Sequence, residues 1–261
     1  VEATQQFAEL MARNERDVPL DEAVLLVARH AHPGLVVTDE LGRLDDLADR
    51  CREPTLDGLR RLLFVDEGFC GNVADYYDPR NSYLNEVIDR RTGIPISLAT
   101  VMLVVGRRVG VPLVGVGMPG HFLLRDRVDP SVFIDPFARG MVLDMDGCRG
   151  LFQAVHGSDD AFTPTLVAPV GTFDIVGRTL ANLRMIFSRI NDRVSLAWVL
   201  GLRCAVPGVG PEARAELAGV LASLGRFAQA AEQLEVLACS VDDERAQGYR
   251  KSADRLRARL N

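Results

Sequence analysis

No two of the chain's five cysteines (Cys51, Cys70, Cys148, Cys204 and Cys239) form a Cys-x-x-Cys pair, and their number is odd. That pattern argues against a disulfide framework or a cysteine zinc site and points to reduced thiols in a cytosol. An excess of positive charge is missing too. Against 36 Asp+Glu stand 30 Lys+Arg, and the net charge of −6 provides no basic field to attract nucleic acid. No apolar run reaches the length of a membrane span, and Gly106-Arg107-Arg108 breaks the longest one. The opening VEATQQFAELMARNERDVPL lacks the basic-then-apolar layout of a signal peptide. The expectation is a cytoplasmic protein with no nucleic-acid or membrane partner. What the chain does have is core material: 48% of its 261 residues are hydrophobic, enough for one large domain or two small ones.

One stretch organises the rest, from Asp75 to Phe137. Gly93-Ile94-Pro95 opens a long apolar segment, Ile96 to Val109, which reads as a buried helix. Proline suits the first helical position, where its missing N–H is no loss, and Gly110 supplies the stop. Three short runs with strand character follow: Leu113–Val116, His121–Arg125 and Val132–Asp135, the last after a turn at Asp129-Pro130-Ser131. His121 is thus expected to open one strand and Asp135 to close the next.

Helix, strand, strand, strand, with a His and an Asp on successive strands, resembles the papain-like, transglutaminase-like fold. There a Cys at the N-terminus of the buried helix is the nucleophile, the His takes its proton, and the Asp orients the His. The strings GNVADYYDPRNSYLNEVIDRRTGIPISLA, GMPGHFLLR and FIDPF are similar to the bacterial SirB-type branch of transglutaminase-like proteins. The resemblance runs from about Leu20 to about Leu237. It implies an α+β fold: a helical N-terminal region, a transglutaminase-like core with a small antiparallel sheet, and a helical C-terminal region. It also places His121 and Asp135 at two triad positions and Pro95 where the third member, the nucleophile, would stand. Proline has no nucleophilic atom.

Elsewhere helices are expected over residues 1–13, from Pro19 to near His30, over Leu41–Arg52, over Leu56–Glu67 behind a Thr55 cap, and over Ser82–Arg90. His30 and His32 have no further ligands nearby and read as a solvent-facing helix end, so neither a metal nor a cofactor is expected. Residues 136–150 read as a hairpin or loop around Arg139-Gly140, with a helix starting at Leu151–Val155. Thr163-Pro164-Thr165 and Ala168-Pro169-Val170-Gly171 are the best candidates for a boundary, giving domains 1–165 and 166–261. Beyond it helices are expected over Ile175–Ile190, Val194–Val206, Pro211–Leu224, Phe227–Ser240 and Asp243–Leu260. Small residues at Ala197 and Ala231, 34 residues apart, match the tetratricopeptide period, although the first copy is degenerate.

Candidate chemistry is concentrated around the central stretch. His121 and Asp135 read either as a retained structural pair or as base and orienter. Ser97, two residues past the nucleophile position, reads as a helix-start residue, with a substitute nucleophile as the alternative. Cys70, in the turn Glu67-Gly68-Phe69-Cys70-Gly71-Asn72, is the one native thiol considered as a nucleophile, against the plainer reading of a small buried residue. Tyr76, Tyr77, Asp78, Arg80, Asn81 and Asn85 form a polar and aromatic cluster, either a network of caps or one wall of a cleft that also includes Pro95. Such side chains suit peptide or amide recognition. Two functions follow as expectations. One is a non-catalytic peptide- or protein-binding, regulatory protein. The alternative is an amide or acyl hydrolase or transferase that uses His121 and Asp135 with a non-standard or substrate-supplied nucleophile.

Overall fold

The computed structural model describes residues 2–158 and 161–259. The chain divides into two compact units: Arg13–Thr179, and the residues up to Ala12 together with those from Leu180 onward.

In the first unit the helices α2 (Leu20–Ala31), α3 (Val37–Asp49), α4 (Leu56–Arg61) and α5 (Leu84–Arg90) precede α6 (Pro95–Val109). The ends of α6 behave as local chemistry dictates. Ile94 is its N-cap, Pro95 its first residue, and Gly110 closes it in the left-handed conformation at φ 83°. Nearly every α6 side chain from Pro95 to Val105 is buried, because α2, α3, α4 and α5 pack around it and strand β3 lies beside it. Gly106 permits a close approach: a Cβ there would lie 3.1 Å from Leu59 of α4. Thr55 caps α4 by accepting from Gly58 N–H, and the chain continues α4 as one π-helical turn, Leu62–Asp66.

Two sheets flank α6. The small one pairs β1 (Cys70–Gly71) with β2 (Thr92–Gly93) in parallel. The larger has five antiparallel strands, β3 (Leu113–Val116), β4 (Leu123–Asp126), β5 (Phe133–Asp135), β6 (Met141–Leu143) and β7 (Pro169–Val170), in the order β6-β5-β4-β3-β7. α7 (Met145–His156) packs Cys148 and Phe152 against Val116, Leu123 and Phe133 of that sheet.

Three expectations need correction. His121 does not open a strand: β4 starts at Leu123. His121 N–H instead donates to Met118 O, and the turn passes through Gly120 at φ 75°. Of the two readings of residues 136–150 the hairpin holds, with β5 and β6 paired antiparallel across the turn at Arg139-Gly140, but the helix after it starts at Met145, six residues earlier than expected, with Asp144 as its cap. Third, α3 covers Val37–Asp49 and not Leu41–Arg52.

The second unit holds α1 (Glu2–Met11), whose buried Phe7, Leu10 and Met11 share one face and which packs on α9. α8 (Thr172–Arg189) begins in the first unit. α9 (Arg193–Arg203), α10 (Pro211–Ser223), α11 (Phe227–Ala238) and α12 (Asp243–Arg257) follow, each packed on the next. Leu260, the expected end of α12, and Val1, the expected start of α1, lie outside the described residues.

Candidate functional site

The site is built where the turn before β4, the end of β5 and the loop after β1 meet. Asp135 is buried and accepts three hydrogen bonds at one oxygen. His121 Nε2–H and Phe137 N–H donate at 2.9 Å each, and Ala138 N–H donates at 3.3 Å. The carboxylate therefore fixes the turn after β5 and the imidazole together. Because Nε2 carries the proton it gives to Asp135, the lone pair of the neutral ring is at Nδ1.

The His121 side chain is only 10% exposed. Phe137 packs edge-on to it, with ring centroids 6.2 Å apart, and edge-on to Tyr76 at 6.0 Å. Phe137 in turn covers Gly71, where a Cβ would meet the ring at 2.5 Å. Gly71 is thus the only residue type that fits under Phe137 without displacing it.

Behind His121 stands Arg178 of α8, which the sequence reading missed. Its Nη2 donates to Met118 O at 2.9 Å and to His121 O at 2.7 Å, and its guanidinium lies 5.5 Å from the Phe122 ring centre. Burial lowers the Arg178 pKa, and Tyr76 opposes that shift. Burial, then Tyr77, pushes the Tyr76 phenol upward, with Arg178 pulling it down. Arg178 is a positioning residue: it ties the turn that carries His121 to α8. In the sequence it is one of three arginines on an amphipathic helix, and only the fold gives it two carbonyls.

The predicted polar cluster divides. Asn81, fully buried, donates to Asp75 O and Tyr76 O and accepts from Asn72 Nδ2, so it shapes the loop that presents Tyr76. Asp78 caps the turn at Arg80 and pairs with the Arg80 and Arg90 guanidiniums. Burial pushes its pKa up, but the bonds to Arg80 and the charges of Arg80 and Arg90 hold it below its ordinary value. Asn85 Oδ1 is buried without a hydrogen-bond partner. Tyr76 and Tyr77 are partly exposed and pack edge-to-face on one another, 5.4 Å apart. The cluster thus has a hydrogen-bonded polar base around Asn81 and Asp78, with Asn85 Oδ1 left out of it, and an aromatic outer face.

At the nucleophile position itself Pro95 is buried in the first turn of α6, and the nearby hydroxyl and thiols are placed as follows. Ser97 spends its hydroxyl on its own helix start: Oγ accepts from Ile94 N–H at 3.0 Å and donates to Ile94 O at 3.1 Å. Cys70 neighbours Gly71 on β1, and alternation along a strand turns its side chain away from the Phe137 side, toward Thr92 Oγ1 at 3.9 Å. Cys148 is fully buried; burial, with Asp144 and Asp135 nearby, pushes its thiol up to about 12. At pH 7 about one molecule in 100,000 would carry that thiolate. His30 and His32, expected to face solvent, are half-buried: His30 Nδ1–H donates to Leu26 O, and His32 packs edge-on to Tyr83.

A profile of the transglutaminase-like superfamily matches residues 20–181, which contain every residue of this site. A UPF0162 protein of Xylella fastidiosa (strain 9a5c) is 37% identical over 205 residues, covering 74% of this chain and 71% of its own length. A UPF0162 protein of Pseudomonas aeruginosa is 33% identical over 182 residues, 66% of each chain. F-box only protein 21 of Mus musculus is 36% identical over 138 residues, 49% of this chain and 21% of that protein. No solved structure matches the chain. The matched profile spans more than half of the chain, and the Xylella relative is covered over more than two thirds of its length: the chain belongs to the transglutaminase-like superfamily and, within it, to the UPF0162 proteins.

Proposed function

We propose that this chain is a non-catalytic member of its superfamily that binds a peptide or protein segment at the face formed by Tyr76, Tyr77 and Phe137. The observation that carries this reading is the α6 start. Pro95 brings no nucleophilic atom, and Ser97 is consumed as a cap on Ile94. His121 and Asp135 then serve as a buried strut for the turns on which the aromatic face is mounted. Tyr and Phe offer large contact area at little cost in side-chain entropy, which suits them to peptide contact. Neither Cys70 nor Cys148 has a part in this reading.

The string resemblance to the SirB-type branch supports a regulatory role. So does a tetratricopeptide-like reading of α9–α12, in which Ala197, Ala230 and Ala231 are buried at the helix contacts. The enzyme alternative keeps one observation in its favour, the Nδ1 lone pair left on His121 by the Asp135 bond. The test of the binding reading is selection from a phage-displayed library of random octapeptides against the full chain. Enriched clones should lose at least tenfold in affinity for Tyr76→Ala and Tyr77→Ala. Enrichment indifferent to both substitutions would overturn it.

A further inference from the structure

Away from His121 the Arg13–Thr179 unit has a cleft of about 500 Å³, within the range of ligand-binding pockets. Its floor is apolar, with Val18, Leu103, Leu113 and Ile175, and Arg16, Arg107 and Arg127 line it as well. Arg107 pairs with Asp21, but that one carboxylate is shared with Arg108. Arg16 and Arg127 are exposed, and among the described residues neither has a carboxylate partner. Glu15, which accepts from Phe173 N–H at 2.8 Å, is the one carboxylate among the described residues that line the cleft, so three arginines stand against a single negative charge there. A chain of net charge −6 therefore concentrates positive charge at an apolar cleft.

One wall of the cleft is a sheet edge. β7 covers only Gly115 and Val116 of β3, so Leu113 and Val114 have a strand beside them on the β4 side alone. Arg127 N–H donates to Pro112 O, so the backbone groups of Pro112, Val114 and Val116 face β4. By alternation the N–H and C=O of Leu113 face the cleft, in line with those of Gly115.

We infer that this cleft takes an extended acidic peptide, added as a strand beside Leu113 and Val114 with its carboxylates on Arg16 and Arg127. The open edge supplies main-chain hydrogen bonds, the floor accepts alternate apolar side chains, and the guanidiniums select Asp or Glu between them. The site shares no residue with the Tyr76 face and does not depend on that reading.

The same phage-displayed octapeptide library, selected against the full chain, tests it. The expected second group of clones alternates apolar and acidic residues and survives Tyr76→Ala. It weakens at least tenfold for Arg16→Ala and for Arg127→Ala, and more for the double variant. Both arginines are exposed, so these variants should fold. In ¹⁵N-labelled full chain, the Leu113 amide should become protected from exchange when a synthetic clone is added. The inference is overturned if no acidic group is enriched, if its binding is indifferent to both arginines, or if bound peptide leaves the Leu113 amide unprotected.

Discussion

Replacing Asp135 by alanine measures how much of the fold rests on its one bonded oxygen. The substitution removes one acceptor and strands three donors: His121 Nε2–H, Phe137 N–H and Ala138 N–H. Asp135 is 2% exposed, so water cannot freely replace the lost oxygen. Each buried donor left unmade costs about 1–3 kcal/mol, with the backbone pair partly rescued by relaxation of the exposed Ala138. The expected loss is roughly 3–5 kcal/mol, among the larger single-residue effects. Asp135→Asn keeps an Oδ1 that accepts all three bonds and should cost about 1 kcal/mol. The single tryptophan, Trp198, lies in the other unit, so its fluorescence does not report this one. Hydrogen exchange read by mass spectrometry on peptides covering 118–140 does. An alanine variant that loses less than about 1 kcal/mol of protection there would contradict this expectation, because a buried imidazole N–H and two part-buried backbone N–H groups cannot be orphaned at so little cost.

Arg178→Met should free the turn from Met118 to His121 and cost about 2–4 kcal/mol, since two buried carbonyls lose a charged donor; Arg178→Lys should recover part of it, read by the same exchange experiment. Cys148 should resist iodoacetamide in the native chain up to about pH 9 while exposed Cys239 reacts, as residue-resolved mass spectrometry would show. Glu67 and Asp78 are both held below their ordinary pKa values: burial pushes each up, and arginine partners, Arg50 and Arg91 for Glu67 and Arg80 and Arg90 for Asp78, more than offset it. Depressed carboxylates stabilise the fold fully above their ordinary values, and that stability is lost as pH falls through the lower folded values. Thermal melts should therefore drop below about pH 4, and Glu67→Gln should flatten that slope.

Much of this unit was legible in the sequence because its strongest signals are local. Proline at the start and glycine at the stop bound α6, and Thr55 caps α4 through its own next turn. The pairing of His121 with Asp135 was legible only through the resemblance. What stayed hidden depends on distant partners. Between hairpin and loop at residues 136–150 the sequence does not decide, because β6 exposes Met141 and Val142 and carries no alternating apolar pattern; only pairing with β5 makes it a strand. β7 is two residues long and includes Pro169, which an edge strand tolerates and a sequence pattern reads as a breaker. α7 contains Gly147 and Gly150, which weaken its helical signal, and Asp144 was not recognised as its cap. Phe137 and Arg178 define the site through contacts with residues 66 and 57 positions away, to Gly71 and to His121, and no local periodicity announces them.

On the proposed function His121 and Asp135 hold a fold and do not turn over a substrate. The most direct test of that reading is the rate of acyl and amide cleavage by the purified chain beside His121→Ala, using p-nitrophenyl acetate, a thioester and a glutamine-containing peptide with ammonia release as the readout. The expected rates are at the buffer background and equal in the two proteins. Turnover above background that falls at least tenfold in a folded His121→Ala chain would contradict it.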